Sequence, residues 1–115
     1  MTKADDLVRL RHMLDAARKA TSLVERRERS DLDKDEMLAL ALVRLLEILG
    51  EAAKRVSKEV RADHPQVAWP AIAGTRDRLI HGYFEVDLDI VWSIVTRDLP
   101  PLIAALERMI PRTHA

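Results

Sequence analysis

Cysteine is absent from the 115 residues, which excludes disulfides, thiolate metal sites and a cysteine nucleophile together. A reducing, cytoplasmic address is the expectation. Glycine occurs three times and proline five, against 48% apolar and 33% charged residues. That is the profile of a helical globular chain rather than a disordered one. Aromatic residues are almost missing, with two Trp, one Tyr and one Phe, so no platform for stacking bases can be assembled from them. Net charge is also missing. Nineteen basic side chains cancel nineteen acidic ones, so the overall field draws in neither nucleic acid nor anionic lipid, and any nucleic-acid binding has to come from a local patch. No apolar stretch is long enough to cross a bilayer, and the first residues lack the basic and apolar segments of a signal peptide. Export by that route and association with a membrane are therefore not expected.

What is there is a helical pattern on a length that suits one core, so one domain over residues 1–115 is expected. Leu7, Leu10, Leu14, Ala17, Thr21 and Val24 recur at spacings of three and four, the stripe of a helix over about residues 3–27. Capping and acidic residues from Ser30 to Glu36 start a second, longest helix over about residues 33–60. From Met37 to Leu49 its apolar residues fall all round the helix, which calls for burial on more than one side. Either the monomer core absorbs that excess or a second copy of the chain covers it, and a homodimer is the expectation. His64-Pro65 interrupts the pattern, and Trp69-Pro70 marks a short third helix over about residues 71–82. Asp87 or Asp89 caps a fourth helix carrying Ile90, Val91, Ile94, Val95 and Leu99, which Pro100-Pro101 should kink or break. The sum is an all-α, four-helix antiparallel bundle.

The densest polar set is Arg76-Asp77-Arg78-Leu79-Ile80-His81-Gly82-Tyr83. If the third helix stays regular, Asp77 and His81 stand one turn apart, and the carboxylate can orient the imidazole and favour its charged form. Arg76 and Tyr83 then share a face. Arg76 and His81 point roughly 140° apart, so a two-fold interface that pools the arginines and histidines of two copies is a second reason to expect a dimer. Histidine titrates near neutrality and can take a proton from a ribose 2′-hydroxyl or return one to the leaving oxygen, while arginine holds the phosphate as charge builds. RNA cleavage by internal attack needs little more. His12, His64 and His114 lack the spacing and carboxylate partners of a zinc or two-metal site, so no metal and no cofactor is assigned. Against this stands the plain alternative that an Arg-Asp-Arg run is a solvated helix face and His81 a helix end.

Arg76, His81 and Tyr83 at this spacing resemble the R-x4-H-x-Y motif of the HepT toxins, a branch of the HEPN superfamily of helical ribonuclease domains. The Ile48-Leu49-Gly50-Glu51-Ala52 segment, Trp69, and the stretch from Asp87 to Leu99 with Val91-Trp92 are similar too, so the resemblance runs from about Leu38 to Leu102. HepT-like sequences often carry asparagine directly after the arginine. Here that residue is Asp77, a departure that bears on how His81 is oriented. The resemblance implies a two-fold dimer of HEPN-like bundles acting as the toxin of a type II toxin–antitoxin pair. Arg76 and His81 would cleave RNA, not DNA, without metal, with Asp77 and Arg78 in support. It implies a minimal nucleotidyltransferase antitoxin as partner, with Tyr83 as acceptor of AMP. The competing functional reading is a non-catalytic HEPN-type subunit that serves the nucleotidyltransferase, and a purely structural adaptor ranks below both.

Other residues carry open alternatives. Lys54, Arg55, Lys58 and Arg61 either form the basic patch for RNA or complement a helix C-terminus. Glu47 and Glu51 either steady Arg76 or Arg78 or pair with Arg55. Trp69 and Trp92 read as core or interface anchors.

Overall fold

The computed structural model describes residues 3–81 and 85–111, with His81 described by its backbone alone. Helix α1 (Lys3–Leu23) buries Leu10, Met13, Leu14, Ala16, Ala17 and Ala20. The small residues among them let a neighbouring helix approach closely. The chain turns through Arg26, whose φ of 61° lies in the left-handed region, and so α1 ends four residues before the expected boundary. A single turn, α2 (Asp31–Lys34), follows.

The expected second helix is three pieces. Asp35 leaves helical geometry at φ −119°, ψ 92°, and its side chain accepts the Leu38 N–H, which starts α3 (Glu36–Lys54). Leu38, Leu42, Leu46 and Leu49 of α3 are buried against α1, each such leucine contributing about 1.5–3 kcal/mol by leaving water. Ser57 then caps α4 (Lys58–Asp63) by accepting the Val60 N–H. The same Ser57 donates its backbone N–H (2.7 Å) and its hydroxyl (2.8 Å) to the buried Asp6 carboxylate of α1. This satisfies a charge inside the core and ties the start of α1 to the end of α3, so the two helices run antiparallel.

Trp69 is buried, and its indole N–H donates to the His64 carbonyl, closing the loop into α5 (Trp69–Ala73). Gly74 separates this from α6 (Thr75–Leu79). The expected third helix is thus two single turns that stop at Leu79. Ile80 is extended (φ −104°, ψ 117°) and begins a two-residue strand, β1 (Ile80–His81), antiparallel to β2 (Glu85–Val86) with Ile80 opposite Val86 and His81 opposite Glu85. Asp87, not Asp89, caps α7 (Leu88–Ser93) by accepting the Ile90 N–H, while Asp89 bonds Arg29 at 2.6 Å. That bond raises the Arg29 pKa further and keeps it cationic.

The proline pair does not break the last helix. A π turn (Ile94–Asp98), in which the Leu99 N–H reaches back to the Ile94 carbonyl, precedes α8 (Leu99–Met109), and helical backbone runs on from residue 88 to residue 109. Proline lacks an N–H and its ring clashes with the carbonyl four residues back. Pro100 and Pro101 stand in the first turn of α8, where the widened turn before them relieves both demands. α8 packs on α1, where Arg18 pairs with Glu107 at 2.8 Å. The all-α bundle expected from the sequence is the observed architecture, with α1 between α3 and α8 and the short α5 and α6 laid on α3.

Candidate functional site

The polar segment sits on α6 and the two-residue ladder that follows, so its position depends on how α5 and α6 are held to α3. Gly50, inside α3, is the contact point. A Cβ there would stand 3.1 Å from the Ile72 carbonyl oxygen of α5, closer than a side chain normally sits, so glycine lets the two backbones touch. Thr75, fully buried, donates its hydroxyl to the same Ile72 carbonyl at 2.6 Å and satisfies the polar group that this close packing hides. Leu79 is buried and its carbonyl accepts the Asp87 N–H at 2.7 Å, which anchors the start of the ladder to the start of α7.

On this platform Arg76 points away from the core. Its Nε lies 3.7 Å from Oε2 of Glu47, a half-buried residue of α3. The first of the two alternatives for Glu47 therefore holds, and Glu51 pairs instead with Lys54 at 3.7 Å. Arg78 leans the other way and meets Asp98 in the π turn, also at 3.7 Å. The two arginines of the Arg-Asp-Arg run are thus divided between α3 and the last helix. Asp77 between them is exposed. Arg76 stands at the lip of two hollows. One, of about 250 Å³, lies between α3 and α6 beside Arg44, Glu47 and Lys54. The other, of about 400 Å³, continues past Asp77 to Ile80.

The helix that was to carry Asp77 and His81 on one face ends at Leu79. The one-turn relation between these residues does not form. What places His81 is the ladder, which sets its backbone opposite Glu85. Tyr83 lies outside the described residues, as do Gly82 and His114. Among the described residues no group of three or more His, Asp or Glu side chains gathers at metal-binding spacing, and no helix is long and apolar enough to cross a membrane. Trp69 belongs to the core and Trp92 is half-buried against it. Lys58 and Arg61 stand apart on α4, while Lys54 and Arg55 border the hollows near Arg76 and α1.

Three contributors were not read from the sequence: Asp98 as the partner of Arg78, Arg44 as a neighbour of Arg76, and Gly50 as the contact that seats α5. The last had a signal, since a lone glycine inside a strongly helical run usually marks a close approach.

Comparison with known proteins agrees with this picture. Residues 13–109 match the family described as Ribonuclease HepT-like. A protein of Caldanaerobacter subterraneus subsp. tengcongensis that bears an RNase name is 49% identical over 72 residues, 63% of this chain and 64% of its own length. One from Thermococcus cleftensis, named for ribonuclease HepT, is 39% identical over 75 residues, 65% of this chain and 68% of its own. One from Methanocaldococcus jannaschii with an RNase name is 31% identical over 107 residues, 93% of this chain and 98% of its own. The chain therefore spans about two thirds of the first two relatives and nearly all of the third. No solved structure matches at a comparable level of significance. With a family match that runs from inside α1 to the end of α8 and takes in the whole polar segment, the chain belongs to the HepT-like ribonuclease family.

Proposed function

We propose that this chain is a metal-independent endoribonuclease with Arg76 and His81 as its catalytic residues, acting in the cytoplasm as the toxin of a toxin–antitoxin pair. The observation that carries the reading is family membership over residues 13–109, joined to an exposed Arg76 held at the edge of two polar hollows by Glu47. In the reaction, the His81 imidazole takes the proton of a ribose 2′-hydroxyl, whose oxygen attacks the adjacent phosphorus. The 5′-oxygen of the next nucleotide leaves and receives a proton, giving a cyclic phosphate and a 5′-hydroxyl end. Arg76 stabilises the charge that builds on the phosphoryl oxygens. Glu47 keeps the guanidinium in place, and Asp77 and Arg78 shape the surroundings.

The working unit in this reading is a homodimer. The monomer core absorbs Leu38, Leu42, Leu46 and Leu49, yet Met37 is 82% and Leu40 61% exposed. These two stand on α3 in line with Arg44, three and seven residues on from Met37, so a contact between copies there would bring two Arg44–Arg76 regions together. The partner is a minimal nucleotidyltransferase that silences the enzyme by moving AMP from a nucleoside triphosphate to the Tyr83 hydroxyl with release of pyrophosphate. The added anion would pair with Arg76 and repel an incoming RNA backbone.

The test is cleavage of a labelled RNA in excess chelator by the parent, Arg76→Ala and His81→Ala. The parent should cut and the variants should not. An undiminished His81→Ala would leave the non-catalytic nucleotidyltransferase subunit as the reading. Mass spectrometry after co-expression with the neighbouring nucleotidyltransferase should find AMP on the Tyr83 peptide. A neutralised protein without adduct would replace modification by steric blocking.

A further inference from the structure

Away from Arg76, a third hollow of about 190 Å³ opens between α1 and α3, lined by Arg9 and His12 on one side and Arg44, Glu51 and Arg55 on the other. It shares Arg44 and Glu51 with the hollow beside Arg76, which in turn shares Lys54 and Arg76 with the one that reaches Ile80. The three form one trough across the molecule. Arg44 and Arg55 are eleven residues apart, which returns them to the same face of α3 after three turns, about 16 Å along the axis. That is longer than a site for one phosphate requires.

The charges in the trough do not cancel. Of its carboxylates, Glu47 faces Arg76 and Glu51 faces Lys54, each at 3.7 Å, and Asp77 lies at the far end. Among the described residues no carboxylate comes within 4.0 Å of the guanidinium groups of Arg9, Arg44 or Arg55. Arg9 shows the same lack in another way. Its Nε is shut off from solvent and has no hydrogen-bond partner, an unmade bond of a kind folded proteins rarely leave. Three like charges drawn from two helices into one hollow repel one another, and a chain with no net charge has acids enough to pair them elsewhere. A polyanion lying in the trough would satisfy the charge.

We infer that this trough is a track for the phosphates of a single RNA strand, holding the part of the substrate that extends beyond the bond to be cut. The inference rests on the ribonuclease reading and deepens it. Cutting is done at Arg76 and His81, while Arg44, Arg55 and Arg9 in turn grip the backbone. Contacts of this kind position a strand without reading its bases, and no Trp, Tyr or Phe lines the trough to stack on them.

The test is fluorescence anisotropy with a labelled 2′-O-methyl RNA dodecamer, which lacks the attacking hydroxyl and so reports binding alone. Arg9→Ala, Arg44→Ala and Arg55→Ala should each weaken binding by about three- to tenfold, and the triple variant by about a hundredfold. Each lost contact should also reduce the slope of log affinity against log salt by about 0.7. Lys58→Ala with Arg61→Ala, on α4, should bind as the parent does. Arg44 and Arg55 are exposed, so their double variant serves if Arg9→Ala melts early by circular dichroism. A folded triple variant with unchanged affinity and slope overturns the track, as does an equal loss from the Lys58 and Arg61 pair. It is also overturned if the trough variants turn a dimer into a monomer in light scattering yet keep the dodecamer. Trough variants that bind normally while His81→Ala abolishes cleavage remove the track and leave the ribonuclease reading. A parent that never cuts but loses the dodecamer with the trough variants does the reverse.

Discussion

The bundle of α1, α3 and α8 and the segment from α5 to β2 are built by opposite rules. The bundle helices run eleven to twenty-one residues, bury leucine and alanine on continuous faces, and close their one buried carboxylate with two hydrogen bonds. The segment is made of five-residue helices and two-residue strands. Its charged side chains look outward, and it is held by a few contacts: Thr75 and Gly50 against Ile72, Leu79 in the core, and the Leu79 carbonyl on Asp87. Short helices cannot stand alone in water. The scaffold therefore supplies the stability and, in the proposed function, the segment the chemistry, and damage to each should register in a different measurement.

The largest effect expected is on turnover. Arg76→Ala and His81→Ala should each lower RNA cleavage by about 10²–10⁴-fold while the urea midpoint stays where it is. A shift in the midpoint would mean that the motif belongs to the scaffold. Leu46→Ala should do the reverse, removing about 2–5 kcal/mol of stability in urea unfolding while the folded fraction keeps its activity. Asp6→Ala leaves the Ser57 N–H and hydroxyl without their acceptor and uncouples α1 from the start of α4. A loss of about 1.5–3 kcal/mol is expected, again with activity intact below the transition. Gly50→Ala sharpens the comparison because it lies on the seam. A methyl group pressing on the Ile72 carbonyl costs about 1–3 kcal/mol and tilts α5 and α6, so stability and cleavage should fall together. Glu47→Gln should be the mildest. Its pairing with the exposed Arg76 is worth at most about 1 kcal/mol, and the readout is a modest fall in cleavage with no measurable change in unfolding.

The same division decides what the sequence made legible. Leu10, Leu14 and Ala17 on the predicted stripe of α1 are buried, and so are Met13, Ala16 and Ala20 beside it, because α1 has partners on two sides and a single stripe describes only one. Helix ends were read less well. Asp35 and Ser57 act as caps inside what the apolar pattern makes one long helix, and periodicity carries no information about a residue that turns its side chain back onto its own backbone. In the segment, spacing and charge offered Arg76, Arg78 and Arg55 alike as partners for Glu47, and the structure pairs it with Arg76. The ladder could not. Two-residue strands have no alternation to detect, and Ile80 is extended because its neighbours bond to β2 and Asp87, contacts that no local pattern announces. The proline pair was recognised as an obstacle, but a π turn as its remedy depends on the Leu99 to Ile94 hydrogen bond, which sequence alone does not display.

The place of α1 between α3 and α8 also sets a timetable for synthesis. Chains emerge from the ribosome at about 5–20 residues per second, so α1 is out for several seconds before Ser57 arrives to meet Asp6, and longer before Glu107 arrives to meet Arg18. Its inner face sets Ala16, Ala17 and Ala20 beside Leu10, Met13 and Leu14, and the alanines help to keep a waiting helix formed. The polar segment is translated before α8, so the bundle that carries it is closed only when α8 packs on α1.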